Sequence, residues 1–366
     1  MSRTLLIADQ GKTAIRIAQA AADLGWHPFA LRELLEEHPQ DPRRVESDEA
    51  GSRNRRHAAA ERILWAAARA DAGLVHPGRG ALSRDAGFAR RCARHGLTVV
   101  GPPAGVLKIV NDRGLVRCLA DAVGVPVAPG PPGPVSWDDA EEFLAALQGR
   151  AALIRPVSSR GPQGGHVVTG RADLDRVHAR LAGTGSPPES TEVYIEEFLE
   201  QAGRVEVQIA GDGRQVAHLW ERQPLPRRTH RTGWLAPAGG LAASTRFLLL
   251  DAALRLADAV AYRGVGTMTF LLTPSRRFYL TGVDPRLHSG HFVTERLAGL
   301  DLFAAQLRLA RGDTVGDLGL EENLRASLPL PEQTDRDRGG QCRPRGLGRS
   351  RGNPSNWGRT GGRALG

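Results

Sequence analysis

The fold is decided in the stretch Glu192–Ile209, which has the sequence EVYIEEFLEQAGRVEVQI. Its first part, Glu192–Phe198, contains the β-branched and aromatic residues that favour strands. Val205–Ile209 alternates apolar and polar residues, as a strand with one buried face does. Asp212-Gly213 is a hairpin turn signal, and Gln215–Trp220 follows it as the partner strand. The stretch therefore predicts antiparallel strands in the second half of the chain.

The sequence on either side of this stretch predicts further helices and strands. Upstream, the spacing of apolar residues predicts helix Asp112–Val123, helix Trp137–Leu147, strand Ala151–Arg155, strand His166–Val168 and helix Ala172–Ala182. Downstream, it predicts helix Thr245–Tyr262, strands Thr267–Leu272 and Arg277–Val283, and helix Phe292–Arg311. From residue 112 onward the chain is therefore predicted to be α+β, with an antiparallel sheet.

Before residue 112 the pattern differs, because short apolar strands alternate with longer helices. The predicted strands and helices are Thr4–Ala8, a helix around Ala14–Ala21, Ala58–Ala70, Gly73–His76, Arg84–His95 and Thr98–Val100. Such alternation predicts a parallel sheet with helices on both faces. The predicted fold class is α/β plus α+β: a doubly wound parallel-sheet domain over residues 1–111, followed by a second domain.

The composition predicts an ordinary soluble protein. Hydrophobic residues make up 41% of the 366 residues and charged residues 24%, values typical of globular domains. No stretch approaches the roughly 20 apolar residues of a membrane helix, and Met1–Ala8 lacks the features of a signal peptide. The three cysteines, Cys92, Cys118 and Cys342, form no metal-binding spacing. A cytoplasmic protein without membrane association is therefore expected.

The net charge of +9 is concentrated towards the C-terminus. Only two lysines are present, Lys12 and Lys108, so nearly all the basic residues are arginines. The segment 331–366 is rich in arginine and glycine and contains eight of these arginines. Such a tail could bind the phosphates of RNA or of a membrane. Its composition favours the alternative of a solvated, disordered extension, and nucleic acid is not predicted as a partner.

A series of short segments matches one known family, in order, between Leu5 and Gly312. They are His76–Ser83 (HPGRGALS), Gly101-Pro102, Gly124–Pro126, Val193–Leu199 (VYIEEFL), Arg204–Gln208 (RVEVQ), Glu221-Arg222, Gly264–Thr267, Phe278-Tyr279, Phe292–Glu295 and Gly299–Leu302. Taken together, they make the chain resemble the biotin carboxylases of the ATP-grasp superfamily. Members of this family activate bicarbonate with ATP and carboxylate the biotin of a carrier protein.

The resemblance implies a domain organisation and a nucleotide site. Residues 1–111 correspond to the family's pre-ATP-grasp domain, and 112–330 to its ATP-grasp domain, with a lid over about 131–203. The implied nucleotide-binding residues are Arg113 and Arg155 (at the positions of two lysines), the lid glycines Gly161, Gly164 and Gly165, the adenine-segment residues Glu196 and Leu199, and His230 and Leu271. Arginine keeps the positive charge of lysine but binds phosphate through a planar fork instead of a compact ammonium. ATP is the implied ligand, although Pro162 in the lid has no N–H to donate.

The family's metal-binding positions have lost their carboxylates in this chain. The resemblance places the two Mg²⁺-binding glutamates at Thr269 and Gly282. Asp284 is the nearest remaining carboxylate and stands where the family has asparagine. Since Mg²⁺ takes oxygen ligands, one carboxylate is expected to form a poor Mg-ATP site.

The family's bicarbonate and biotin segment is also altered. Arg286 corresponds to the bicarbonate-binding arginine, whereas Gly290 stands where the family has the glutamate that deprotonates bicarbonate. His288, two residues away, is a candidate substitute base because a histidine has a near-neutral pKa. A structural role for His288, and pairing of Arg286 with Glu295, are the alternatives.

Three functions follow from these observations. The first is a working biotin carboxylase that uses biotin on a carrier protein as substrate, with a carboxyl carrier protein or carboxyltransferase subunit as partner. The second, favoured by the losses above, is a non-catalytic relative that binds nucleotide or carrier and assembles with an intact paralogue. The third is phosphate or nucleic-acid binding through the tail. The resemblance further implies that the family's C-terminal domain, which carries much of its dimer interface, is replaced here by the tail.

Overall fold

The computed structural model describes residues 3–30, 52–157, 165–182, 192–225 and 233–326, with the backbone alone for 52–58. The lid glycines Gly161 and Gly164, His230 and the arginine-rich tail therefore lie outside the described residues. Within the described ranges, every helix is too short or too polar to cross a membrane.

The N-terminal part is built on four parallel strands in the order β2-β1-β3-β4. Its elements are β1 (Thr4–Ile7), α1 (Gly11–Asp23), β2 (His27–Ala30), α2 (Ser52–Arg69), β3 (Leu74–His76), α3 (Ala86–Arg94) and β4 (Thr98–Val99). Alternate residues of a strand point to opposite faces. Accordingly, Leu5 and Ile7 pack into one hydrophobic cluster with Ile17, while Leu6 packs into another with Phe88. Both faces of the sheet are covered, which confirms the predicted doubly wound domain.

The rest of the described chain contains a five-stranded antiparallel sheet, ordered β10-β9-β8-β11-β12, and a three-stranded sheet, ordered β6-β5-β7. The elements are α4 (Ala104–Asn111), α5 (Arg113–Ala122), α6 (Trp137–Ala146), β5 (Ala152–Pro156), β6 (His166–Val168), α7 (Arg171–Ala182), β7 (Val193–Glu197), β8 (Gly203–Asp212), β9 (Val216–Pro224), β10 (Trp234–Leu235), α8 (Ala243–Ala259), β11 (Arg263–Leu272), β12 (Phe278–Asp284), α9 (His291–Ala298) and α10 (Leu302–Arg311). The antiparallel strands predicted around Glu192–Ile209 are therefore present.

The register of the large sheet brings Glu206, Thr269 and Gly282 of three strands side by side. In β11, Thr269 lies opposite Glu206 of β8 on one side and Gly282 of β12 on the other. The alternate residues Val205 and Val207 of β8 face the hydrophobic core beneath α8. Since strand residues alternate between faces, one face of this sheet is polar, and it carries the two positions at which the resemblance predicts metal-binding glutamates.

The single helix predicted for Phe292–Arg311 is wrong, because the chain forms α9 and α10 there. Gly299 ends α9 with a left-handed φ of 64°, a conformation that glycine adopts without steric cost. Asp301 then caps α10 by accepting hydrogen bonds from the backbone N–H groups of Phe303 and Ala304. Three short elements, β2, α4 and β10, were also not predicted.

Two buried histidines make folding sensitive to acid. His76 ends β3, where its Nδ1 accepts a hydrogen bond from Gly78 N at 3.0 Å and its Nε2 lies 3.3 Å from Gln306 Oε1. Burial lowers the pKa of His76 from 6.5 to about 4. Burial likewise lowers the pKa of His218 to about 4. Both rings are therefore neutral in the folded protein at pH 7.

The free energy of unfolding is expected to fall between pH 6.5 and 4. In this range the unfolded chain binds protons at both positions while the folded chain does not, so stability is full above 6.5 and is lost towards 4. Urea unfolding at several pH values measures this dependence. Replacing His76 and His218 together by glutamine should make it clearly shallower, leaving the contribution of His291, whose pKa burial also lowers, whereas glutamine at the exposed His95 should leave it unchanged. An equal slope in all three proteins would contradict the prediction.

Candidate functional site

Three arginine side chains converge on Glu196 of β7. Arg155 of β5 places Nη1 2.7 Å from Glu196 Oε1, and Arg117 of α5 places Nη1 3.0 Å from Oε2. Arg113, one turn earlier in α5, is more distant, with 3.9 Å between Nη1 and Oε1. Residues four apart share a helix face, which explains why α5 presents two arginines to one carboxylate.

Backbone contacts hold this arginine cluster (Arg113, Arg117 and Arg155 with Glu196) in place. The Nη2 of Arg117 donates to the carbonyl oxygens of Ala128 at 2.9 Å and Gly130 at 3.2 Å. Gly130 itself lies against β7, where an added Cβ would be 2.7 Å from the carbonyl oxygen of Ile195. Glycine at this position therefore allows the segment between α5 and α6 to approach β7, the strand that carries Glu196.

The arginine cluster carries more positive than negative charge and is largely withdrawn from water. The side chains of Arg155 and Arg113 are only 12% and 21% exposed. Burial and the neighbouring charge of Arg155 lower the pKa of Arg113, against the opposing effect of Glu196. Partly buried cations in excess over carboxylates attract an anion, and arginine forks match the oxygens of phosphate.

The structure brings together four of the predicted nucleotide-binding residues: Arg113, Arg155, Gly165 and Glu196. An added Cβ at Gly165 would lie 3.1 Å from Arg155 Nε, so Gly165 borders the arginine cluster. Leu199 follows the end of β7, and Leu271 lies in β11 opposite Arg204; both are partly buried. Arg117 was not predicted, although its spacing from Arg113 in a helix could have indicated it.

Thr269 and Gly282, where the resemblance predicts the family's metal-binding glutamates, are direct neighbours across two strands. Thr269 of β11 pairs with Gly282 of β12, so neither position supplies a carboxylate at the point where two would meet. Asp284 is engaged by Arg286, whose Nε and Nη2 lie 2.9 and 3.1 Å from its two oxygens. Across the described ranges, no group of three or more His, Cys, Asp or Glu side chains could hold a metal ion. These residues do not fit Mg²⁺.

Arg286 joins the two parts of the fold. Besides its fork to Asp284, its Nη1 donates to the carbonyl oxygen of Arg79 at 2.8 Å. The backbone N–H of Arg79 donates to Asp9 Oδ2 at 2.8 Å, so the turn after β3 is held between Asp9 and Arg286. The predicted bicarbonate-binding arginine is thus placed in a network of protein contacts, and its partner is Asp284 instead of Glu295.

His288 lies beside a buried ion pair formed by Glu206 and Arg222. Its Nε2 is 2.9 Å from Glu206 Oε2, and its Nδ1 accepts a hydrogen bond from the backbone N–H of Gly290 at 3.3 Å. Burial raises the pKa of Glu206, but the hydrogen bond from His288 and the charges of His288, Arg222 and Arg204 outweigh it, so the net pKa is lowered. Both nitrogens of His288 therefore have partners within the protein.

The space beside Gly290, where the resemblance predicts the family's general base, is filled. A Cβ added to Gly290 would lie 2.7 Å from Arg222 Nε and 2.9 Å from Trp234 Cδ2. Trp234 of β10 was not predicted as a site residue, and its sequence neighbours give no signal for this contact.

Two family models match consecutive parts of the chain. Residues 1–107 match the biotin carboxylase N-terminal domain, and residues 112–318 match the ATP-binding domain of the carbamoyl-phosphate synthase L chain. A pyruvate carboxylase of Aspergillus niger is 32% identical over 330 residues, which are 87% of this chain and 28% of that protein. A pyruvate carboxylase of Staphylococcus aureus is 32% identical over 342 residues, 91% of this chain and 29% of that protein. The chain thus spans less than a third of these relatives.

Two solved biotin carboxylase structures are also similar to the chain. The biotin carboxylase domain of a single-chain bacterial carboxylase has a TM-score of 0.71 and 35% identity, with 90% of this chain and 71% of that chain covered. A biotin carboxylase of Campylobacter jejuni, described as a β-γ-ATP complex, has a TM-score of 0.72 and 26% identity, with 86% and 72% covered.

Proposed function

The chain belongs to the biotin carboxylase family of ATP-grasp proteins, and we propose that it binds a nucleotide without Mg²⁺ and does not carboxylate biotin. The observation that carries this proposal is the direct pairing of Thr269 with Gly282. A divalent cation held between two strands needs carboxylates at that point, and neither residue has one. The only carboxylate nearby on β12, Asp284, is already paired with Arg286.

The arginine cluster supports nucleotide binding. Three guanidinium groups surround a single carboxylate, so the cluster has cationic capacity left for a polyphosphate. Phosphoryl chemistry depends on neutralising phosphate charge, and binding alone requires only part of that neutralisation. Guanidinium groups can supply it here in place of the family's lysines and metal ion.

The surroundings of Gly290 support the loss of carboxylation. No carboxylate is present at this position to take a proton from bicarbonate, and Arg222 and Trp234 fill the adjacent space. His288 donates to Glu206 and accepts from Gly290, so neither ring nitrogen is directed at a substrate. Removing such groups typically lowers a rate by two or more orders of magnitude each. The role that fits is a nucleotide-responsive relative that assembles with a biotin carrier, a carboxyltransferase subunit or an intact carboxylase paralogue.

The proposal is tested by thermal unfolding with ATP, in the presence of Mg²⁺ and of EDTA. ATP is expected to raise the melting temperature equally in both conditions, because a ligand that binds only the folded state stabilises it. ATP hydrolysis that depends on bicarbonate and free biotin would overturn the proposal. So would stabilisation by ATP that appears only with Mg²⁺.

Arg155→Ala is expected to weaken ATP binding by about tenfold to a hundredfold, the value of one or two charge-assisted hydrogen bonds. Isothermal titration measures the change. Arg150→Ala is the matched control, because Arg150 is 59% exposed and pairs with Glu197, the next residue along β7. Arg155→Lys, which restores the family's residue, should retain binding. Equal affinities for Arg155→Ala and Arg150→Ala would place the nucleotide elsewhere.

A further inference from the structure

Trp234 packs on the two residues that border the position of the general base. Its ring lies 5.5 Å from the guanidinium carbon of Arg222 and 5.5 Å, centroid to centroid, from the ring of His288. Two of its ring carbons, Cδ2 and Cε2, are the atoms that a Cβ on Gly290 would meet at 2.9 and 3.0 Å. The indole therefore occupies the volume into which a side chain at position 290 would extend.

Gly290 is not required by the backbone. Its φ of −87° and ψ of −5° lie in a region that ordinary residues adopt. The glycine is therefore explained by its neighbours and not by its conformation. The side chain of Arg222 is held in place, because it is fully buried and its Nε donates to Glu206 at 3.0 Å. The other neighbour, Trp234, is held by packing, because its Nε1 is buried and has no hydrogen-bond partner among the described residues.

We infer that the ring of Trp234 closes the acid–base pocket of this fold. Trp234 and Gly290 are a coupled pair: a large ring at 234 disfavours a side chain at 290, and a side chain at 290 disfavours a large ring at 234. The inference rests on the proposed function for the identity of position 290 and deepens it. Position 290 lacks the carboxylate of the general base, and the aromatic ring of Trp234 occupies the space beside it. A glutamate at 290 costs less stability once the residue at 234 is small, because only the contact with Arg222 then remains.

The test is a double-mutant cycle of thermal unfolding, measured on the full chain without nucleotide. Gly290→Ala is expected to lower the melting temperature by about 5 °C, because overpacking against a fixed guanidinium and an indole is destabilising. In the Trp234→Ala background the same substitution should lower it by only about 2 °C or less, because the contact with the indole is gone and only the contact with Arg222 remains. Gly105→Ala is the control, since its added methyl group meets no atom within 4 Å. Equal losses in both backgrounds would overturn the inference.

Gly290→Glu extends the test to the residue of the family. Beside Trp234 this variant should melt well below the parent, and in the Trp234→Ala background the same substitution should lower the melting temperature by less. Trp234→Leu serves as the background if Trp234→Ala does not fold. Because no arm contains nucleotide, failure of this cycle is distinguishable from failure of ATP to bind. A Gly290→Glu protein that is as stable as the parent would also overturn the inference.

Discussion

The Arg222→Met variant is expected to lose about 3–5 kcal/mol of free energy of unfolding, as measured by urea denaturation. Removing one member of a buried ion pair leaves the other charge buried without compensation, and losses of this size are typical. Arg222 and Glu206 are both 0% exposed, with 3.0 Å between Nε and Oε2. Methionine retains much of the aliphatic volume of arginine, so the loss reports mainly on the polar contacts.

The expected loss of stability is large because each of the three guanidinium nitrogens of Arg222 donates a hydrogen bond. Its donors reach residues of three other elements, β8, β11 and α9: Glu206, Gln208, Thr267 and Thr294. Each buried acceptor that is left without a donor carries its own desolvation cost. Arg222 therefore connects β8, β9 and β11 with α9, and its removal affects the whole polar face of the sheet.

A matched surface arginine separates this effect from loss of charge alone. Arg171 is 71% exposed and pairs with Glu141; Arg171→Met should change the free energy by less than about 1 kcal/mol. The double variant Arg222→Met/Glu206→Met should recover part of the loss, since hydrophobic replacement of a buried ion pair is often neutral. A loss for Arg222→Met no larger than that for Arg171→Met would contradict the assigned role of Arg222.

Local sequence patterns were sufficient for most of the strands but not for the contacts of the site. Alternating residues in Val205–Ile209 place Glu206 and Gln208 on one face, as the structure does, and the hairpin at Asp212-Gly213 is present. The contact of Trp234 with Gly290 depends on where a two-residue edge strand lies relative to the start of a helix. No periodicity carries that information, because packing between distant segments determines it.

The pairing of Asp284 with Arg286 was within reach of sequence reasoning. Residues two apart in an extended chain point to the same side, so an aspartate and an arginine at this spacing are natural partners. The resemblance assigns each residue a separate role, Asp284 as metal ligand and Arg286 as bicarbonate ligand, and does not predict that they pair. In the structure the two side chains pair with each other, and both carboxylate oxygens of Asp284 accept hydrogen bonds from Arg286.

Placing carboxylates at both predicted metal-binding positions should create Mg²⁺ dependence of ATP binding. We expect ATP to bind Thr269→Glu/Gly282→Glu at least about tenfold more tightly with Mg²⁺ than with EDTA, as measured by titration, because two carboxylates then meet where Mg²⁺ takes oxygen ligands. The parent should show no such difference. Space is available, since a Cβ on Gly282 would meet no atom within 4 Å.

The same variant has a readout that does not involve nucleotide. The new carboxylate at 269 lies opposite Glu206, and like charges directly across a sheet are destabilising; the variant should therefore melt below the parent in EDTA and recover with Mg²⁺. Thr269→Gln/Gly282→Gln is the matched control, because it carries the same bulk and the same backbone cost at Gly282, where φ is +157°, without the charges. If the glutamine pair responded to Mg²⁺ as the glutamate pair does, or if neither responded, loss of these two carboxylates would not explain the absence of a metal site. A response confined to the glutamate pair would show that the strands still hold the family's geometry and that the chemistry was lost at two side chains.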